Sequence, residues 1–492
     1  MARLFATKPL SVIRQEAAEE GEHTLRRSLG AVNLITLGIG AIIGAGIFVL
    51  TGTAAAQFAG PAIVLSFVVA GLGCVFAGLC YAEFASMIPI AGSAYTYGYT
   101  TLGELMAWII GWALGLEYAF GAATVAVGWS GYVSSLFGYF GIKMPFNPTP
   151  SLALNLFGHP FAAKVDIFAL FAIVVVTTIL VVGVKESANF NSAAVMIKVS
   201  VVLFFIGIAT VFASTHWSHM MANWHPFIPP NRGGFGNFGW SGIMRGGSVV
   251  FFAYIGFDAV STAAQEARNP QKDLPFGILG SLVICTILYI VVSLLLTGIK
   301  PYTELNTPSP VADGAAAIGA TWGVVLIDLG AIAGLASVML VMILGQTRVL
   351  YTMAHDGLLP KWVGSIHPRF RTPWLITIAV GFLVAFLAAF FNIVFLGQLV
   401  SLGTLLAFTI VCLGVMVMRR TQPDCPRPFR TPWVPFVPIM GMIIALALMV
   451  SSNTPAKIGF FGWLIVGLLI YFGYSVRHSK VQQMGEKVTE TR

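Results

Sequence analysis

Stretches of roughly 20 apolar residues recur along almost the whole chain, each long enough to cross a ~30 Å hydrocarbon core at 1.5 Å per helical residue. They fall at 33–57, 61–88, 103–136, 164–184, 191–213, 240–264, 275–299, 322–352, 373–391, 395–418, 432–451 and 457–475. Hydrophobic residues make up 57% of the chain and charged residues 9%, against about a quarter charged in a soluble domain. A soluble fold could not hide that much apolar surface. The predicted fold class is an all-α membrane protein of about twelve transmembrane helices, forming one membrane domain.

The net charge of +8 does not indicate nucleic acid, because the basic residues follow a membrane topology. With both termini cytoplasmic, 20 of the 27 Lys and Arg lie inside, concentrated before 33 and in the 348–372 loop, the 419–431 loop and the tail. Six lie outside, and Lys198 lies within a span. The five cysteines sit in apolar spans or on the cytoplasmic side without CxxC spacing, so neither disulfides nor a metal or other cofactor is expected. The polar N-terminal segment lacks the apolar run of a cleavable signal peptide, so the first span is expected to remain as a helix.

Two spans are interrupted. GIGAIIGAGIFVLTG places Gly38, Gly40, Gly44, Gly46 and Gly52 where a helix should be continuous, at ~1 kcal/mol each relative to Ala. A break is expected near Ile43 to Gly46. About 210 residues later, GIMRGGSVVFFAYIGFDAVSTAAQE sets Gly256 and Asp258 at mid-depth. Paired interruptions point to an inverted repeat. Unwound backbone survives in a membrane only where protein or a watery cavity satisfies it, which makes such a break a ready binding site. Half-helix N-termini suit a carboxylate and freed carbonyls suit an ammonium group, together the backbone of an amino acid. The competing reading is that these glycines serve close helix packing.

GIGAIIGAGIFVLTG (38–52), CYAEFASMIPIAGSAYTY (80–97), GWALGLEY (111–118), FFAYIGFDAVSTAAQEARNPQKDLP (251–275) and GQTRVLYTMAHDGLLP (345–360) together resemble the amino acid–polyamine–organocation (APC) superfamily, and within it bacterial relatives of the cationic amino acid transporters. The resemblance spans nearly the whole chain. It implies a five-plus-five inverted-repeat (LeuT-like) fold with helices 1 and 6 broken. In domain terms it implies a cytoplasmic segment 1–32, a ten-helix transport core 33–418, two C-terminal helices in 419–475 and a cytoplasmic tail 476–492. It also implies secondary active transport. The substrate carboxylate would meet N–H groups of Gly44, Ala45 and Gly46, and carbonyls near Ile42, Ile43, Phe252, Ala253 and Ile255 would take the amino group. Phe252 would close over the substrate.

An ammonium at the depth of Lys198 costs ~2.5–3.5 kcal/mol unless paired or hydrated. By the resemblance it occupies the place where sodium-coupled cousins bind sodium, so its charge replaces the ion and its proton is the coupled one; the alternative is a lysine snorkelling to the headgroups. Glu117 is either a contact for a substrate side chain, favouring Lys or Arg as cargo, or a carboxyl bonded to a neighbouring helix. Asp258 is expected to cap the lower half-helix after Gly256. Glu83, Glu266 and Arg268 are read as structural. Met342 falls by resemblance on the pocket wall, with simple packing as its alternative. Two residues depart from the family: Arg245, about 10 Å above Phe252, would hinder cationic substrates, and Ala45 replaces a frequent hydroxyl residue.

The leading reading is a proton-coupled symporter of cationic and/or small neutral L-amino acids in the cell inner membrane. The runner-up is an amino acid exchanger. A membrane enzyme is disfavoured because the eight histidines lie in loops or near span ends and no HExxH occurs. A sensor is disfavoured because the ~30-residue N-terminus and ~17-residue tail are too short for a signalling domain. A small helical subunit beside the bundle is compatible with the sequence, which carries no signal for it.

Overall fold

The computed structural model describes residue 4 and residues 6–7, 29–88, 93–142, 151–156, 159–183, 188–262 and 267–483. Its longer helices are α1 (Ala31–Ile42), α2 (Ile63–Met87), α3 (Ser93–Thr101), α4 (Glu104–Tyr139), α5 (Ile167–Val182), α6 (Ala188–Thr215), α7 (Gly239–Val250), α8 (Pro270–Ile299), α9 (Thr321–His355), α10 (Trp374–Phe390), α11 (Ile393–Thr421), α12 (Phe436–Ser451) and α13 (Thr454–Ile470). Among the described residues, seven helical stretches are long and apolar enough to cross a membrane: Gly46–Met87, α4, Ala193–Thr215, α8, α9, α11 and Thr454–Gln483. Helices α1, α5, α10 and α12 are apolar but shorter. The chain is a multi-span helical membrane protein.

The membrane-spanning elements are helical as expected, and one loop adds a short hairpin. Strands β1 (Ser151–Leu156) and β2 (His159–Lys164) form an antiparallel hairpin in the loop between α4 and α5. At six residues each, they are too short to register in a search for 20-residue apolar runs.

Local chemistry sets the helix limits. Asp166, Asn392 and Asn453 cap α5, α11 and α13, their side-chain oxygens accepting the backbone N–H of Ala169 (3.0 Å), Phe395 (2.8 Å) and Ala456 (3.0 Å). Gly60, at φ +62°, turns the chain sharply before α2. Large apolar side chains such as Phe382, Ile458 and Leu469 face outward, more than two-thirds exposed, as lipid rather than water would require. Inside, α4 packs along α9 and α11, while α8 packs along α1 and α2. The interruptions of the first and sixth spans sit between these two sets of helices.

Candidate functional site

Helix α1 stops at Ile42, Ile43 is extended (φ −71°, ψ 107°), and helical winding resumes at 46. Helix α7 stops at Val250, winds tightly through Phe251–Tyr254, and is extended at Ile255 (φ −64°, ψ 137°). Gly256 then takes φ +111°, which side chains other than glycine's rarely allow. The two interruptions face each other. A Cβ on Gly46 would come within 2.9 Å of the Ala253 nitrogen, and one on Gly256 within 2.7 Å of the Ala41 carbonyl oxygen. Both glycines are therefore required by close backbone approach.

The carbonyls released by the breaks have partners on other helices. Lys198 Nζ, from α6, donates to the carbonyls of Gly40 and, at 3.3 Å, Ile43. The Tyr289 hydroxyl, from α8, lies 2.8 Å from the Ala253 carbonyl and 3.0 Å from that of Ile42. Its single proton is shared between the two, so Tyr289 bridges both interruptions. On the far side of the first break, Tyr132 donates to the Phe48 carbonyl (2.7 Å). Tyr289 was not singled out in the sequence, although a tyrosine in the middle of CTILYIVVS must find a partner for its hydroxyl, which is the signal that marks it.

Lys198 does not snorkel. It is 1% exposed, and its stem lies against α9, where a Cβ on Gly334 would touch its Cγ and Cδ at 3.0 Å. Among the described residues no carboxylate pairs with it. Backbone dipoles, not an opposing charge, hold the ammonium. The other residues expected at the site, Ile42, Ile43, Ala45, Glu117, Phe252, Ala253, Ile255 and Met342, are all 5% exposed or less.

Glu117 Oε2 accepts from the Thr404 hydroxyl on α11 at 2.7 Å, while Oε1 is buried without a partner among the described residues. One oxygen fits the helix-bonding reading and the other is free to accept. Asp258 immediately precedes the short helix Ala259–Thr262, and its carbonyl receives the Ser261 N–H at 2.9 Å. The Met342 sulfur packs on α4, 2.9 Å from where a Cβ on Gly121 would stand. The Phe252 ring lies 3.9 Å from the corresponding point on Gly397 of α11, and Ala45 lies against Gly128 of α4.

Glu83 stands apart from the breaks, near the end of α2. It takes a bidentate pair from Arg419 (3.1 and 2.7 Å), the Thr431 N–H (2.8 Å) and a contact from Arg427 at 3.4 Å. Arg245 is tied sideways, its Nε on the Ser451 carbonyl (3.3 Å) and its guanidinium 5.6 Å from the centre of the Phe235 ring. Arg268 donates its N–H to the Leu29 carbonyl at 2.9 Å; Glu266 lies outside the described residues. Among the described residues no cluster of three or more His, Cys, Asp or Glu could hold a metal.

The amino acid permease family model matches residues 29–473. The chain is 45% identical to the branched-chain amino acid permease BcaP of Bacillus subtilis, over 95% of this chain and 97% of the relative. It is 43% identical to the methylthioribose transporter of the same organism, over 97% and 99%. It is 39% identical to the vacuolar cationic amino acid transporter 4 of Arabidopsis thaliana, over 82% of this chain and 65% of that longer protein. With the two facing helix breaks in place and the match covering most of its length, the chain belongs to the amino acid permease family of the APC superfamily: it is a membrane transporter and not an enzyme.

Proposed function

We propose that the chain is a secondary active transporter of L-amino acids, driven by proton symport and working by alternating access. In this reading it crosses the membrane twelve times, as a five-plus-five inverted repeat over 33–418 with two further helices in 419–475, and 1–32 and 476–492 lie in the cytoplasm. The observation that carries the reading is the Lys198 ammonium, bonded among the described residues only to the carbonyls of Gly40 and Ile43 at the first break. The substrate carboxylate docks on the N–H groups of Gly44, Ala45 and Gly46. Its ammonium takes remaining lone pairs on the carbonyls of Ile42, Ile43, Phe252, Ala253 and Ile255, two of which already share Tyr289.

Loss of the Lys198 proton leaves a neutral amine whose two N–H groups bond the same carbonyls without charge assistance, which loosens α1 against α6 and α9. Protonation restores the clasp. Substrate and proton thus act on one hinge, which is what coupling requires. Phe252 covers the bound backbone, and Met342 and Glu117 meet the side chain. A flexible thioether beside a carboxylate suits neutral side chains of moderate size and leaves a place for a basic group. An exchanger uses the same site without net proton movement, and a relative named for methylthioribose, which is not an amino acid, makes substrate class part of the test.

The purified protein in liposomes is given labelled alanine, valine, arginine and methylthioribose, with and without an inward proton gradient, for wild type and Lys198→Ala. Gradient-driven amino acid uptake that becomes uncoupled in the variant supports symport. Gradient-independent uptake that requires internal amino acid makes the protein an exchanger, and uptake of methylthioribose alone refutes the amino acid assignment.

A further inference from the structure

The outer half of the bundle, in the orientation proposed above, holds a buried carboxylate that the central site does not use. Asp328 on α9 is fully buried. Its Oδ2 accepts from the Ser135 hydroxyl of α4 at 2.9 Å, and its Oδ1 has no partner among the described residues. No Lys, Arg or His among the described residues pairs with it. An uncompensated carboxylate at this depth is costly, and one cation on the vacant oxygen would relieve the cost.

Its position gives that cation a route. Asp328, Leu335 and Met342 recur every seven residues, two helical turns, and so share one face of α9. Asp328 therefore stands about 21 Å outward of Met342 along the face of α9 that packs on α4, where Ser135 and Gly121 meet them. Residues 307–317 lie over it from outside: Pro308 packs on Gly131 of α4, where a Cβ would meet its carbonyl oxygen at 2.8 Å. The short helix Pro310–Ala317, which carries Asp313, packs against α9. The Thr307 hydroxyl in this segment is also buried without a partner.

We propose that Asp328, with Ser135, is an outer station that receives the α-ammonium group of the substrate before it reaches the helix breaks, the 307–317 segment opening and closing over it. The inference rests on the amino acid transport reading. It places two ammonium stations in series: a carboxylate outside, then backbone carbonyls at the centre.

The test measures initial rates of labelled valine transport in vesicles of both orientations for wild type, Asp328→Asn, Asp328→Glu and Ser135→Ala. Asp328→Asn is expected to raise KM about tenfold from the outer face, the equivalent of one charge-assisted hydrogen bond, with Vmax and inner-face KM unchanged. Asp328→Glu is expected to recover most of the loss, and Ser135→Ala to raise outer-face KM about threefold. Unchanged outer KM in Asp328→Asn, or equal rises from both faces, overturns the station. Retained KM with lost gradient stimulation overturns it too, since Asp328 would then carry a proton. If Asp328→Asn does not yield folded protein, an unchanged outer KM in Ser135→Ala overturns the proposal alone. Failure of the wild type to move any labelled amino acid overturns the transport reading instead.

Discussion

Two buried charges in this protein are held in opposite ways. Glu83, 2% exposed, is surrounded by opposite charge: a bidentate arginine, a second arginine and a backbone N–H. Lys198, 1% exposed, has among the described residues only the carbonyls of Gly40 and Ile43. Removing one side of an ion pair strands the other, so the Glu83 cluster has one stable arrangement and fixes α2 to the 419–431 loop. Removing the Lys198 proton strands no opposite charge, because the neutral amine keeps two N–H groups for the two carbonyls and only the charge assistance is lost. In the symport proposed above, the first charge locks and the second switches.

The difference is open to direct attack. Lys198→Ala is expected to cost about 100-fold or more in gradient-driven uptake while counterflow between loaded liposomes survives, because the hinge loses its proton and not its substrate contacts. Equal loss of counterflow would mean that Lys198 holds the fold and couples nothing. Glu83→Gln is expected to act on stability, lowering unfolding free energy by about 3 kcal/mol in detergent, with the KM of surviving protein unchanged. A changed coupling ratio with unchanged stability would reverse the assignment of lock and switch. Tyr289→Phe removes one hydroxyl from two carbonyls and is expected to lower Vmax about tenfold, with folding intact. Met342→Ala is expected to shift preference toward larger neutral side chains by about threefold to tenfold, read as a ratio of kcat/KM values.

How much of this was legible in the sequence follows from which signals are local. The breaks were legible because Gly44, Gly46 and Gly256 sit where apolar helix should run without interruption, and the structure interrupts both helices there. Lys198 was legible as an anomaly, since charge in an apolar span is rare enough to require a reason. Its partners were not: the Gly40 carbonyl is 158 residues away, and nothing near Lys198 names it. The Glu83 latch was hidden for the same reason, its arginine arriving from 336 residues further on. Tyr289 and Asp328 passed unnoticed in spans whose average hydropathy is high, where one polar atom scarcely changes the mean. The hairpin at 151–164 escaped because its strands are shorter than the length that defines a membrane span.

Arg245 offers the smallest expected effect and a sharp test of the same contrast. Read from the sequence alone, a cation seven residues before Phe252 ought to repel cationic substrates. The structure ties its guanidinium to the Ser451 carbonyl and to the face of Phe235, and the side chain remains partly exposed, so water and salt screen its field. Asp328, of opposite sign, is fully buried with an oxygen to spare and should dominate what an approaching ammonium feels. Arg245→Gln is therefore expected to change the ratio of arginine to alanine uptake by less than about twofold at 0.15 M salt, with a larger change at 0.01 M. A rise of tenfold or more in arginine preference, insensitive to salt, would mean that the arginine stands on the substrate path, that a charge need not be untied to govern selectivity, and that lock and switch divide less cleanly than Glu83 and Lys198 suggest.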